Sequence, residues 1–384
     1  MTAQMTGRER ILAAMRREIP DRVPVSPRIG AYLAAYYGSS SLARHIQAAQ
    51  EFGFDICLPG ANPVPTFIHG PALTYRFVPP DVRITQEVVE QDGGVRVWRT
   101  FETPAGKLSD DTFLAPGGRE YGMSPSPMHN ETLIKDASDL DRLRYILPDP
   151  TQPNVHDYHE TNRLIGDLGI AEMTFNLPLD HFLGDARGMA QLMMDYYLDR
   201  PFFDRMFAFF QEYGQTLLKA ALEAGVRYVF ATWYYGSLSA GWSPAIFREV
   251  FVPLMRQQAE LIHGYDGIYH IYDDGKMMRT LGDYVEAGAD VVETLTPPPV
   301  GDVDLAEAKR LYGDRVCLKG WSDLLYVIKL GTVQQVVDAV RYALEVAAPG
   351  GGFILGTSDS IREGTPLENV RAYFETAHKY GRYS

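Results

Sequence analysis

The sequence is poor in cysteine: Cys57 and Cys317 are the only two among 384 residues. A zinc site built from four cysteines is excluded by count. One disulfide can be drawn, but two thiols in a chain this long read as a cytoplasmic protein with both reduced. Basic residues are short as well, 36 Lys and Arg against 49 Asp and Glu, for a net charge of −13. Nucleic-acid phosphates need the opposite balance, so a nucleic-acid partner is not expected. No apolar run reaches the length of a membrane span. The opening "MTAQMTGRERILAAMRREIP" is a charged amphipathic helix without the apolar stretch of a secretory signal. Also missing are a Gly-x-Gly-x-x-Gly turn after an early strand, a Walker loop, a nucleophile elbow and a His-Glu-x-x-His helix.

What remains is the composition of a globular protein, 46% apolar and 22% charged, with 23 Tyr and 18 Phe for a core and for aromatic-lined pockets. Short runs rich in Val, Ile, Phe and Tyr alternate with longer helical patterns. The strands are expected at 22–26, 54–59, 169–175, 227–232, 267–272, 289–295, 315–320 and 351–357, each bounded by Gly, Pro or Asp. Between them, "SPAIFREVFVPLMRQQAELIHG" opens with a Ser cap and Pro at the first helical position, and Pro253 predicts a kink. "GKMMRTLGDYVEAGAD" and "TVQQVVDAVRYALEVAAPGGG" carry helical spacing. Eight β-then-α units predict an α/β fold, a (β/α)8 TIM barrel forming a single domain over 1–384. A doubly wound sheet is the competing arrangement. One β-rich segment at about 70–153 breaks the rhythm. Its "VRVWRTFETPAGKLSDDTF" predicts a β-hairpin inserted after the second strand.

Barrel chemistry sits where strands end. That selects Arg28 after the first strand, Asn62 after the second, and Asn176, Asp180 and His181 after the third. Trp233, Tyr234 and Tyr235 follow the fourth, and His270, Tyr272, Asp273 and Asp274 belong to the fifth. Glu293, Lys319 and Asp359 come from the last three. His270 alternates with Ile268 and Tyr272, which places it on an inner face. It is open to three readings: metal ligand, acid–base group, or hydrogen-bonded core histidine. Asp274 is equally a helix cap, and the three aromatics are equally plain packing. Glu293 is costly to bury alone, so His270 or Lys319 is its expected partner.

The segments "RERILAAMRREIPDRVPV", "HIYDDGKMMRTLGDYVEAGADVVETL", "PPPVGDVDLAEAKRLYGDRVCLKG" and "GGFILGTSDSIREGTPLENVRAYFETAHKYGRY" resemble the uroporphyrinogen decarboxylase superfamily, which includes corrinoid- and coenzyme M-dependent methyltransferases. The resemblance implies a (β/α)8 barrel and a homodimer. Against the decarboxylases, Arg28 stands for one of two propionate-binding arginines and Asn62 falls near their pyrrole-binding aspartate. Against the thiol-directed methyltransferases, His270 is kept, Tyr272 takes the place of a metal-binding Cys, and Asp359 falls at the late Cys. The His-Cys-Cys zinc site of those relatives is therefore absent, and the zinc site left open is His270 and Asp359, with Asp273 or Glu249 added, since His and carboxylates are good zinc ligands.

Three functions follow as expectations. The first is methyl transfer between a small methylated substrate and a corrinoid, carried by a partner protein, or a thiol acceptor. There His270, Asp273 and Asp359 are catalytic, and Arg28, Asn62, Trp233, Tyr234, Tyr235, Tyr272 and Lys319 bind substrate. The second is decarboxylation of uroporphyrinogen III or a smaller carboxylate, which needs no cofactor. The third is a non-catalytic binding barrel.

Overall fold

The computed structural model describes residues 4–64, 79–116 and 127–383. Residues 70–78 and 117–126 of the expected insertion lie outside the described residues. The chain divides into two compact units. One comprises Met1–Ala61, Val155–Phe175 and Leu222–Ser384, the other Asn62–Asn154 and Asn176–Ala221. The described strands are β1 (Ile56–Ala61), β2 (Arg83–Gln91), β3 (Gly94–Thr103), β4 (Gly106–Leu114), β5 (Met128–Glu131), β6 (Gly169–Phe175), β7 (Tyr228–Thr232), β8 (Ile268–Tyr272), β9 (Val291–Thr294), β10 (Cys317–Ser322) and β11 (Phe353–Thr357).

In the first unit, β1 and β6 to β11 form a seven-stranded parallel sheet in chain order. Parallel neighbours need crossovers, and helices such as Val252–His263, Leu305–Tyr312 and Val333–Ala347 supply them. Residues 22–26, expected as a strand, make isolated bridges only. Val25 bridges Leu355 of β11. Ser26 N donates to Leu355 O at 2.8 Å, Leu355 N donates to Pro24 O at 2.9 Å, and Asp55 N donates to Val25 O at 2.8 Å. Pro24 has no N–H, and the Val25 N–H goes to the Asp55 carboxylate at 3.1 Å, so a regular ladder cannot form. This short stretch therefore bonds to the last strand on one side and to the residue just ahead of β1 on the other.

The N-terminal helix Gly7–Met15 starts in a capping box of Thr6 and Glu9. It buries Ile11, Ala14 and Met15 against Cys57, Ile170, Ile268, Val291, Cys317 and Ile354, which lie low on their strands. Each large apolar side chain so covered contributes about 1.5–3 kcal/mol. Ser243 caps the next predicted helix, with Pro244 behind it. The kink expected from Pro253 takes the form of a widened π turn over Phe247–Phe251, directly ahead of Val252–His263. The helix expected from 275 shrinks to Leu281–Glu286. Ahead of it, Lys276 N donates to Ser239 Oγ and Met278 N to Asp302 Oδ1, both at 2.9 Å.

The second unit holds an antiparallel sheet in the order β2-β3-β4-β5. The strand pair predicted around "TPAG" is β3–β4, with Thr103 opposite Gly106. Two further strands extend it into a four-stranded sheet, and Arg99 opposes Asp110 in a fully buried ion pair.

Candidate active site

Side chains on the inner face of the parallel sheet stack in layers. Alternation along β8 puts Ile268, His270 and Tyr272 on one side and Tyr269 and Ile271 on the other. Ile268 belongs to the apolar floor beside the N-terminal helix. Above it lies a polar string: Cys57 of β1, Glu172 of β6, His270 of β8, Glu293 of β9 and Lys319 of β10. All five are buried. Cys57 Sγ donates to Glu172 Oε2 at 3.2 Å, and Glu172 Oε1 meets His270 Nδ1 at 2.8 Å. His270 Nε2 lies 3.1 Å from Glu293 Oε2, the oxygen that accepts from Lys319 Nζ at 2.9 Å. The Phe230 ring of β7 stands edge-on to His270, 5.0 Å between centroids.

Burial disfavours every charge in this string, and the partners reverse it. Burial alone would lower His270, but Glu172 and then Glu293 raise it. Burial would raise Glu172 and Glu293, but His270 pulls the first below its usual range and Lys319, then His270, pull the second well below. Burial would lower Lys319, and Glu293 lifts it instead. The partners thus favour the charged forms: two carboxylates, one ammonium, and an imidazole whose affinity for a second proton is raised. The Cys57 thiol is held as a thiol, first by burial and then by the Glu172 carboxylate.

At the strand ends above the string sits a second cluster. The Arg28 guanidinium lies over the Tyr272 ring, 4.5 Å from its centroid, and its Nη1 is 3.7 Å from Asp359 Oδ1. That Nη1 makes no hydrogen bond among the described residues. Asp359 also accepts from Arg362 at 2.7 Å. The Tyr272 hydroxyl donates to Asp274 Oδ2, and Thr294 donates to Asp274 Oδ1 at 3.3 Å. Burial, and then the Asp359 charge, push the Asp274 carboxyl up to about 6, despite Tyr272 and Arg28 pulling the other way. A cavity of about 240 Å³ opens beside Arg28, with Ser26, His45, Cys57, Leu58 and Ser360 in its lining.

The structure thus brings Arg28, Tyr272, Asp274 and Asp359 together, and below them His270, Glu293 and Lys319. Both partners expected for Glu293 are present. Asp273 is fully buried and accepts from Tyr284 Oη and from Asp274 N, both at 2.7 Å. Trp233 packs on the opposite face of β8, where its Nε1 donates to Tyr269 Oη at 3.0 Å. Tyr235 is buried beside exposed Tyr234. Asn62 is exposed and belongs to the second unit. Glu172 was not among the residues selected from strand ends, because it lies mid-strand. Its signal is a lone charge in "GIAEMTF" on the same alternation as Ile170.

Cys57, Glu172 and His270 place one sulfur, one oxygen and one nitrogen within 4.8 Å of one another, a donor set that could hold a metal ion. Asp359 is not part of that group; its partners are arginines. The contacts within the group do not fit an ion. Both Glu172 oxygens and the imidazole Nδ1 are already bonded inside the set, and a buried ammonium closes the other side of His270 through Glu293.

A family model described as uroporphyrinogen decarboxylase (URO-D) matches residues 169–380, over half the chain and all of β6 to β11. A uroporphyrinogen decarboxylase of Thioalkalivibrio sulfidiphilus is 23% identical over 303 residues, 73% of this chain and 81% of that protein. One of Coxiella burnetii is 26% identical over 171 residues, 42% of this chain and 43% of that protein. A methyltransferase from Methanosarcina mazei superposes with a TM-score of 0.64 at 17% identity, covering 98% of this chain and 99% of that one. At that identity the structural likeness speaks for the fold alone.

Proposed function

Because the chain belongs to the uroporphyrinogen decarboxylase family, which has methyltransferase relatives, we propose that it is an enzyme of methyltransferase type. It moves a methyl group from a small methylated substrate to a corrinoid carried by a partner protein, or to a thiol. The scaffold is a (β/α)8 barrel in which residues 24–26 take the eighth place beside the seven parallel strands, with the β2–β5 segment as an insertion. When the methyl leaves, the oxygen or nitrogen left behind needs a proton or another electrophile. The observation that carries the reading is the cluster at the end of β8, where Asp274 retains its proton to about pH 6. Asp274 donates that proton to the leaving atom, Tyr272 aims it, and Arg28 holds an anionic group of the substrate beside it. His270, Asp273 and Lys319 act from beneath by fixing the strand ends. No residue of the chain is assigned to hold the corrinoid.

A second reading is decarboxylation of a carboxylate smaller than uroporphyrinogen III. It is favoured by the unbonded Arg28 Nη1, which would grip the carboxylate while Asp274 returns a proton to carbon. Uroporphyrinogen III itself is opposed by charge, since Arg28 faces Asp274, Asp359 and Glu293, and Arg362 is already taken up by Asp359. The enzyme is placed in the cytoplasm, where buried, unpaired Cys57 and Cys317 stay reduced, as a homodimer by resemblance. No helix among the described residues is long and apolar enough to cross a membrane.

The test supplies methoxylated and methylamine substrates with reduced cobalamin and follows methylcobalamin by absorbance. Turnover should fall as pH rises through about 6, and Asp274→Asn should lower it by about 100-fold or more. Carbon dioxide release from small carboxylates, lost with Arg28→Met, would move the assignment to the second reading. Neither product would leave a binding barrel, and full activity in Asp274→Asn would sink the assigned role.

A further inference from the structure

We infer that Lys319 is the resident cation of the buried string: it lies beside the donor set that could hold a metal ion and keeps that set closed to one, and it positions Glu293 against His270. The inference is independent of which group the enzyme transfers.

The geometry starts from register. Lys319 of β10 pairs with Glu293 of β9, so the two side chains rise side by side from neighbouring parallel strands. Lys319 is fully buried, and its Nζ reaches Glu293 Oε2 at 2.9 Å. The same oxygen faces His270 Nε2 at 3.1 Å. An ammonium is among the most expensive groups to bury, and an apolar string of similar volume would be no less stable. A lysine in this position is therefore best explained by what its charge does there.

The charge does two things. It anchors a carboxylate that would otherwise be free to rotate away from the imidazole. It also places a fixed positive charge one side chain away from Cys57, Glu172 and His270, the set with metal-ligating donors. In a dry interior a cation so close repels a second cation strongly. The donors are left to bond one another, as the 3.2 Å Cys57–Glu172 and 2.8 Å Glu172–His270 contacts show. Removing the ammonium without changing the three donors should therefore open the set to a divalent ion.

Cobalt(II) is the probe, because a cysteine thiolate on cobalt gives an intense near-ultraviolet absorption. Wild-type protein at neutral pH should take up no stoichiometric cobalt with that absorption. Lys319→Met should bind one equivalent, at least about tenfold tighter than wild type, and lose it again when Cys57→Ala is added. Lys319→Arg keeps a cation and should exclude cobalt as wild type does, an effect no merely structural role would produce. If Lys319→Met does not fold, the double variant Lys319→Met/Glu293→Gln removes the pair together and is read in the same way. The inference is overturned if wild type shows the Cys57-dependent absorption. It is equally overturned if a folded variant without the ammonium binds no more cobalt than wild type.

Discussion

Asp274→Asn tests the environment of the strand-end cluster through folding stability alone. The wild-type carboxyl moves from an ordinary 3.8 to about 6 in the folded chain. A shift of that size corresponds to roughly 3 kcal/mol. The folded state binds the proton more tightly than the unfolded chain. The associated stability is therefore fully present below about pH 4 and is lost as pH rises through about 6. Between pH 8 and pH 5, this group alone should add about half of that to the wild-type unfolding free energy. Asparagine cannot ionise but still accepts from Tyr272 Oη, so its contribution should be flat. Urea unfolding of both proteins at intervals across that range gives the result as a difference, in which every other titrating group cancels. The gap between the two curves should widen from pH 5 to pH 8 by about half of that shift, wild type losing stability relative to the variant. Adding Asp359→Asn should move the wild-type midpoint downward, since that charge helps to hold the proton on Asp274. Parallel curves would refute the reasoning, because a carboxyl with an ordinary pKa has nothing to lose over this interval.

Glu293→Gln should destabilise the chain by about 3–5 kcal/mol, since it strands the buried Lys319 ammonium. Urea unfolding checks this, and a loss below about 1 kcal/mol would show that the string is not held together by charge. Gly320→Ala should not yield a native fold. Gly320 has φ +127° and an added Cβ would sit 1.8 Å from Thr294 O, so β9 and β10 could not stay paired. A thermal midpoint equal to that of wild type would contradict the placement of those strands.

The order of strands was legible because buried parallel strands leave short apolar runs with Gly and Pro at their ends. "GIAEMTF" matches β6, and "GIYHIY" overlaps β8 to within one residue. Residues 22–26 carried the same pattern, yet Pro24 removes a donor that a ladder requires, and single bridges result. The helix expected from 275 failed for a different reason. Lys276 and Met278 are tied by their N–H groups to Ser239 and Asp302, and nothing local in the sequence announces partners so far away. At the site, alternation was enough to set His270 inward, and the cost of an unpaired Glu293 was enough to expect His270 or Lys319 beside it. Alternation stops at the end of a strand, so it could not say which of two adjacent aspartates faces Tyr284 and which faces Tyr272. Trp233, by its position after β7, was as open to binding substrate as to plain packing. The turn that follows sends it to the back of β8 instead, against Tyr269.

The helix at Gly7–Met15 has a consequence for how the chain comes to be folded. Its apolar face is covered by residues as distant as Ile354 in the last strand. During synthesis that face is made long before Ile354, so it must wait while all the strands between are produced. Contacts that span almost the whole sequence close slowly. A chain released before β11 would carry a greasy, unsealed end, a natural target for chaperones and proteases. The same seal makes synthesis of β11 a condition for assembling the polar string directly above it.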